Sequence, residues 1–563
     1  MGIPTFFRQV LEKNPHIIEG LDTSHLYDFD YFFIDFNAVI YTVLTKHKSP
    51  RDLIDRVVDT IVSWTVDIIR PREYVYIAMD GSAPRAKMVQ QRSRRYKSLL
   101  LKKHFPDSSS DWDTSNISPG TRFMWDLKTA IEKAMIQKRF GSNRRVLLSD
   151  TTCPGEGEHK FLHRIRSMDR DKRLVIFSPD NDMISLGLLT KKSKIHLMRF
   201  VDPNSDLEKH VHNYELFVCD LDRLRTIFET QMTQLYSDLY DPDRILLDYN
   251  FLLSLVGNDF VPSLPFLKIR SGGLRLLLHI YNELRSVHRS YLIHENLDIH
   301  FDFLADIFQK LACIETHEMK KQYAQMDRDF HGQTKTYENP SLSEDELRKS
   351  RFLHLSLFHP DNPLFPIYGH LYCTIDYSKP KHEWKASYYR YFCGFDSPDT
   401  YNRDRTRMVH NYLESLLFTL HYYNQKCPSW SWYYRYRVAP IPSDVWTVLM
   451  KDRRLPRVPL SLHPCLHPFE QLMLILPPST IRTLLPSQYH SIIKENDKYF
   501  VDADFVHIDA LAGGKFIYSE ALLPEMDDID RFITRIRSVH LDHVIDKKRN
   551  QVSKSIRVFS PFN

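Results

Sequence analysis

A chain of 563 residues that is 42% hydrophobic and 13% aromatic can bury large cores and should divide into two or more units. Its 76 basic and 71 acidic residues leave a formal charge of only +5, so any affinity for nucleic acid has to come from local clustering. Seven cysteines without a CxxC pair exclude a disulfide framework and a zinc ribbon and fit a reducing compartment. No apolar run approaches the ~20 residues that span a bilayer, no signal-peptide pattern opens the chain, and Phe6 stands where a myristoylation motif needs Ser or Thr.

The opening, Met1 to Arg8 (MGIPTFFR), is apolar and is expected to pack against the core. Tyr31 to Asp35 (YFFID) reads as a buried strand ending in a carboxylate, and the apolar run after Asn37 reaches Val43. A helix over Arg51 to Ile69 leads to a second strand, Tyr74 to Met79, which ends at Asp80; Gly81 and Pro84 stop it. From Arg85 to Lys103 there are eight Lys or Arg and no acid, and Lys87, Gln91, Arg94 and Arg95 share one face of a helix. Beside a metal-binding carboxylate, that face suits the phosphorylated end of a nucleic acid, although a solvated basic helix has the same spacing. A helix near Phe123 to Ile136 and a strand over Val146 to Ser149 complete a β-α-β-α-β pattern. The pattern predicts a parallel sheet flanked by helices, with ligands outside the C-terminal strand ends.

Further acids follow at element ends. In Cys153 to Arg164 (CPGEGEHKFLHR), Glu156 and Glu158 stand at a loop-to-helix junction, where they converge only if the turn is irregular; acids there also favour the helix dipole. The strand Leu174 to Ser178 precedes Asp180 and Asp182, which face one side in extended chain and repel unless a cation or proton intervenes. Asp259 follows a buried helix, Ile245 to Val256, ended by Gly257-Asn258. Seven acids, Asp35, Asp80, Glu156, Glu158, Asp180, Asp182 and Asp259, are hard oxygen ligands suited to two Mg2+ or Mn2+ ions about 4 Å apart.

Leu274 to Leu284 and Phe301 to Leu311 look helical, and Glu315 to Arg351 is hydrophilic and reads as an insertion or linker. Trp384 to Phe395 and Tyr422 to Tyr436 are dense in aromatics interleaved with Arg, including Trp430 and Trp432, a composition that serves either a core or base stacking.

The blocks MGIPTFFR, IDFNAVI, AMDGSAPRAKMVQQRSRR, PGEGEHK, the D-x-D after LVIFS, and LVGNDFVPSLP closely resemble, in order, those of the Xrn 5′-to-3′ exoribonucleases. CPSWSWYYRYRVAPIPSDV, HPFEQLMLILPPST and GGKFIYSEALLPEMDD are similar to that family's second conserved region. The resemblance implies a PIN-like, flap-nuclease-like α/β core and a mostly helical, aromatic-rich region packed over the active site. It implies that the seven acids form a two-metal site and that Lys87, Gln91, Arg94 and Arg95 bind a 5′-monophosphate. Met1 to Arg8 would help restrict the site to chain ends, and one of Trp430 and Trp432 would stack on substrate. Tyr41 replaces the family's usual histidine and can stack without imidazolium charge. Pro179 and Asn181 replace small residues beside the D-x-D pair. The resemblance leaves out the insertion and the last thirty or so residues. The chain also lacks the long C-terminal extension of large cytoplasmic members, so Leu541 to Asn563, the insertion or a partner is expected to compensate.

The expected organisation is residues 1–270 as nuclease core, 271–365 as helical extension and linker, and 366–563 as the second region covering the site. The expected function is a processive, Mg2+- or Mn2+-dependent 5′-to-3′ exoribonuclease that degrades single-stranded RNA with a 5′-monophosphate to mononucleotides. Its rivals are a structure-specific 5′ DNA flap-type nuclease and a non-catalytic protein that binds RNA 5′ ends. A monomer, with a decapping or scaffold partner and no membrane, is expected; with no basic nuclear-localisation cluster, cytoplasm is favoured over nucleus.

Overall fold

A computed structural model describes residues 10–11, 13–44, 49–105, 112–169, 171–201, 214–233, 241–331, 343–460 and 463–560. The opening segment, Met1 to Arg8, lies outside the described residues. The strands are β1 (Ile18–Leu21), β2 (Tyr31–Asp35), β3 (Tyr74–Ala78), β4 (Arg145–Ser149), β5 (Leu174–Phe177), β6 (Ile195–Phe200), β7 (Leu216–Asp220), β8 (His507–Ile508), β9 (Ala521–Leu522) and β10 (Arg557–Phe559). Eight of them form one sheet in the order β1-β7-β6-β5-β2-β3-β4-β10, and β8 pairs only with β9. The five central strands run parallel, whereas β7, β1 and β10 join by antiparallel pairs. Every residue of β2, β3 and β5 is buried, as a parallel sheet covered on both faces requires.

The crossovers are helical: α1 (Phe36–Val43) and α2 (Pro50–Ser63) between β2 and β3, then α3 (Arg85–His104) and α4 (Arg122–Ile136) before β4. α5 (Gly157–Arg166) and α6 (Asp182–Leu188) flank β5. Local chemistry explains α2: Ser49 accepts the Asp52 N–H, Pro50 occupies the first turn, and Leu53, Val57, Val58 and Ile61 form the buried stripe. The predicted helix continues to Ile69 only as a π-helical segment, which Arg70 ends in the left-handed conformation.

One expectation about organisation is overturned, and a second gains detail that the sequence did not show. The hydrophilic stretch Glu315 to Arg351 is not a linker where it is described: α8 runs over Phe301–His331 and α9 over Glu344–His354, with Ser343 and Glu346 forming a capping box. Glu315, fully buried, accepts the Ser443 backbone N–H and hydroxyl at 2.8 and 2.6 Å and pairs with Lys381. Composition misled because the polar residues of a half-buried helix outnumber its anchors. Packing, for its part, crosses 270/271. One hydrophobic cluster runs from Leu11 to Leu449, and β10 lies in the sheet itself. The tail is further tied by Ser553 N–H to the Thr152 carbonyl, and by Arg557 to Glu132 and Asp150.

Candidate active site

The seven predicted acids come together outside the C-terminal ends of β2, β3, β4 and β5. Asp35 ends β2, occupies the position before α1 and accepts the Ser178 hydroxyl at 2.9 Å. Asp80 follows β3; its N–H donates to Asn37 Oδ1, and its Oδ1 accepts the Gly157 N–H at 2.8 Å. A Cβ on Gly157 would lie 3.5 Å from Asp80 Oδ1 and 3.6 Å from Asp35 Oδ1, which places both carboxylates around that residue. The irregular turn needed for Glu156 and Glu158 to converge lies before α5. Gly155 has φ of +99° and Glu156 is extended, so the helix begins only at Gly157. The turn locks to the one after β3 through Gly81 N–H to Gly155 O and Gly155 N–H to Ser82 O, at 2.9 and 2.8 Å. Asp182 opens α6, and its N–H donates to Asp180 Oδ1 at 3.1 Å. Asp259 arrives from the turn after α7 (Pro242–Leu255).

Burial pushes the Asp35 carboxyl up to about 7, with Asp80 and Asp180 adding to the shift. It pushes Asp182 up to about 8, with Asp180 and Asp259 adding, and raises Glu158 well above the ordinary range, with Glu156 adding. Burial also raises Glu156, although Lys87 opposes the shift; burial is the largest influence on Asp259 as well and would raise it, but the lowering contributions, led by the Lys87 charge, together bring it below its usual value.

Lys87 departs from expectation. Its ammonium lies 2.5 Å from Glu156 Oε1 and 2.6 Å from Asp259 Oδ2, buried among the acids. The other three predicted phosphate ligands are on α3 as spaced. Gln91 accepts a bond from Gln471, Arg95 donates to the Ser118 hydroxyl and Ile117 carbonyl, and Arg94 is exposed with no side-chain partner among the described residues. No three His, Cys, Asp or Glu among the described residues stand close enough to hold a metal ion as placed. The donor set nevertheless fits one: buried carboxylates with raised affinity for protons, only partly neutralised by Lys87, are hard ligands short of positive charge.

Sequence reasoning missed several residues here. On α10 (Pro398–Asn424), Tyr422 donates to Glu156 Oε2 at 2.9 Å and Tyr423 to Asp182 Oδ2 at 3.3 Å. His159 packs against Tyr422 with ring centroids 3.7 Å apart and the planes tilted by 35°, and Gln90 donates to Asp259. The paired tyrosines ending a helix in an aromatic-rich stretch were the available signal. Of the two tryptophans, Trp432 packs on Phe418 and donates to Glu414. Trp430 is half-buried; its indole has no partner among the described residues, and its carbonyl accepts the Arg85 N–H that begins α3. Tyr41 is half-exposed on α1.

The chain belongs to the Xrn family: the family's "XRN 5′-3′ exonuclease N-terminus" matches residues 1–200, and its "Xrn1 helical domain" matches 239–355 and 380–560. The second match reaches into the stretch expected to be an insertion and almost to the end, so the expected gap over the last thirty or so residues is also overturned. It is 27% identical to 5′-3′ exoribonuclease 1 of Schizosaccharomyces pombe, over 89% of this chain and 46% of that protein. It is 25% identical to human 5′-3′ exoribonuclease 1, over 99% of this chain and 35% of that protein. Against chicken (Gallus gallus) 5′-3′ exoribonuclease 2 it is 27% identical, over 94% of this chain and 69% of that protein. The chain thus spans less than half the length of these two exoribonuclease 1 relatives. The catalytic core of Rad2 in complex with DNA substrate aligns over 51% of this chain and 73% of that one at 13% identity and a TM-score of 0.29, too loosely to argue from.

Proposed function

We propose that the chain is a divalent-metal-dependent 5′-to-3′ exoribonuclease that acts processively on single-stranded RNA bearing a 5′-monophosphate and releases mononucleotides. The observation that carries this reading is the gathering of the predicted carboxylates at neighbouring strand ends, two of them, Glu156 and Asp259, paired with the buried Lys87 ammonium, beside the basic face of α3. Asp35, Asp80, Glu156, Glu158, Asp180, Asp182 and Asp259 would hold Mg2+ or Mn2+. Bound there, such ions supply Lewis-acid polarisation of a phosphodiester and a water acidic enough to attack it.

The protein's own part is positioning and charge. Tyr422 and Tyr423 fix one oxygen each of Glu156 and Asp182, and Lys87 links the acids to the helix that bears Gln91, Arg94 and Arg95. Those three would bind the terminal phosphate, while Tyr41 and Trp430 would hold the terminal bases by stacking. Trp432 is already committed to Phe418 and Glu414, which favours Trp430 for that role.

The test is a time course of the purified chain in Mg2+ on one RNA carrying a 5′-monophosphate, 5′-hydroxyl or 5′-triphosphate, with products sized. Mononucleotides from the monophosphate alone are expected. Oligonucleotides from all three, or from DNA flaps, would replace this reading with an open or flap-type nuclease. Binding without hydrolysis would leave an end-binding protein.

A further inference from the structure

Gln471 lies on α12 (Pro468–Ile475), after α11 (Pro442–Asp452), and is fully buried. Its carboxamide is engaged at both ends. Oε1 accepts the Ala83 backbone N–H at 2.9 Å, and Nε2 donates to Gln91 Oε1 at 3.1 Å. A backbone N–H can only donate, so the first bond decides which end of Gln471 faces Ala83. The end left for Gln91 is an NH2, which also can only donate. Gln91 must therefore turn its oxygen toward Gln471 and keep its own NH2 for something else. Among the described residues that NH2 has no partner, and Gln91 shares the α3 face with Arg94 and Arg95.

We propose that Gln471 is a positioning residue that sets the hydrogen-bonding polarity of the 5′-phosphate pocket: it compels Gln91 to offer a donor, not an acceptor, to the terminal phosphate. The inference rests on the pocket reading given above. An unconstrained amide presents either end, and its oxygen would repel a phosphate. Ala83 belongs to the turn between Asp80 and α3, so Gln471 also braces that turn, a structural role the test has to separate.

Gln471→Glu separates them, because a carboxylate accepts at both ends: the Ala83 bond survives, while Gln91 must reverse and turn its oxygen outward. The measurement is kcat and KM of the full chain in Mg2+ on 5′-monophosphate and 5′-hydroxyl forms of one RNA. The preference for monophosphate should fall about tenfold, mainly through KM. In a Gln91→Ala background the same substitution should cause no further fall. An undiminished preference in Gln471→Glu overturns the proposal. So does an equal fall in the Gln91→Ala background, which would leave Gln471 as a brace for the turn alone. Should Gln471→Glu not fold, Gln471→Met, close in shape and able to hold neither partner, carries the same cycle with a fall of about threefold. A wild type without preference, or a Gln91→Ala variant that keeps it, removes the pocket reading itself and this inference with it. That result is read from proteins with Gln471 intact.

Discussion

Asp35 and Asp182 hold their protons to about pH 7 and about pH 8, whereas each releases its proton near 3.8 when unfolded. Between those values the folded chain binds protons that the unfolded chain has lost, so stability decreases as pH rises through the window, by about 1.4 kcal/mol per pH unit for each such proton. Melting of the metal-free protein should therefore shift down by a few degrees from pH 6 to pH 9, and Mg2+ should flatten the trend. Asp182→Asn should melt higher than wild type at pH 9 yet cleave no RNA while still binding it; wild-type turnover would remove Asp182 from the metal set. The acids themselves were legible, because strand ends announce themselves by apolar runs stopping at a carboxylate. Lys87 was legible as a member of that helix face, but its pairing with Glu156 and Asp259 was not. The aromatic density around Tyr422 and Tyr423 was legible, but not their contacts with Glu156 and Asp182, nor that of Gln471 with Gln91, since each reaches the site from a distant part of the chain and no local pattern encodes such a contact.

Among elements, the continuation of α8 beyond Leu311 was the least expected. Its stretch reads as polar, but Glu315 receives two bonds from the first turn of α11 and pairs with Lys381. Glu315→Ala leaves the part-buried Ser443 N–H without its carboxylate partner and should cost about 2 kcal/mol, read as a lowered denaturation midpoint, whereas Glu344→Ala, exposed at the start of α9, should change it by less than about 0.5 kcal/mol. The central strands β2, β3, β4 and β5 were all legible as continuous apolar runs. The edges were not. β1 is four residues with a glycine, and β10 is three residues with two of them exposed, so neither carries the apolar signature that burial on both faces demands.

At the scale of the molecule, the predicted 1–270 unit lacks a surface of its own where α7 lies. Phe260 packs its ring against Phe418, Tyr422 and Tyr423, and every residue of α7 from Ile245 to Leu255 is buried. A fragment ending at residue 270 should expose that helix, bind a hydrophobic dye and melt without a cooperative transition, as circular dichroism would register. A sharp, dye-free transition would restore the boundary at 270. The resemblance to Xrn proteins anticipated a second region covering the first, but not that the two share one hydrophobic cluster.

The pairing of Arg557 with Leu148 has a bearing on how the protein is made. β4 leads through Asp150 into the turn that carries Glu156 and Glu158, and the segment that braces it, from Ser553 to β10, is made about 400 residues later. A nascent chain would display all seven acids long before that edge of the sheet could close, and contacts of such sequence separation form slowly. The bracing of the Glu156 turn is therefore a late contact, formed only once residues 553–559 have been made and come within reach of β4.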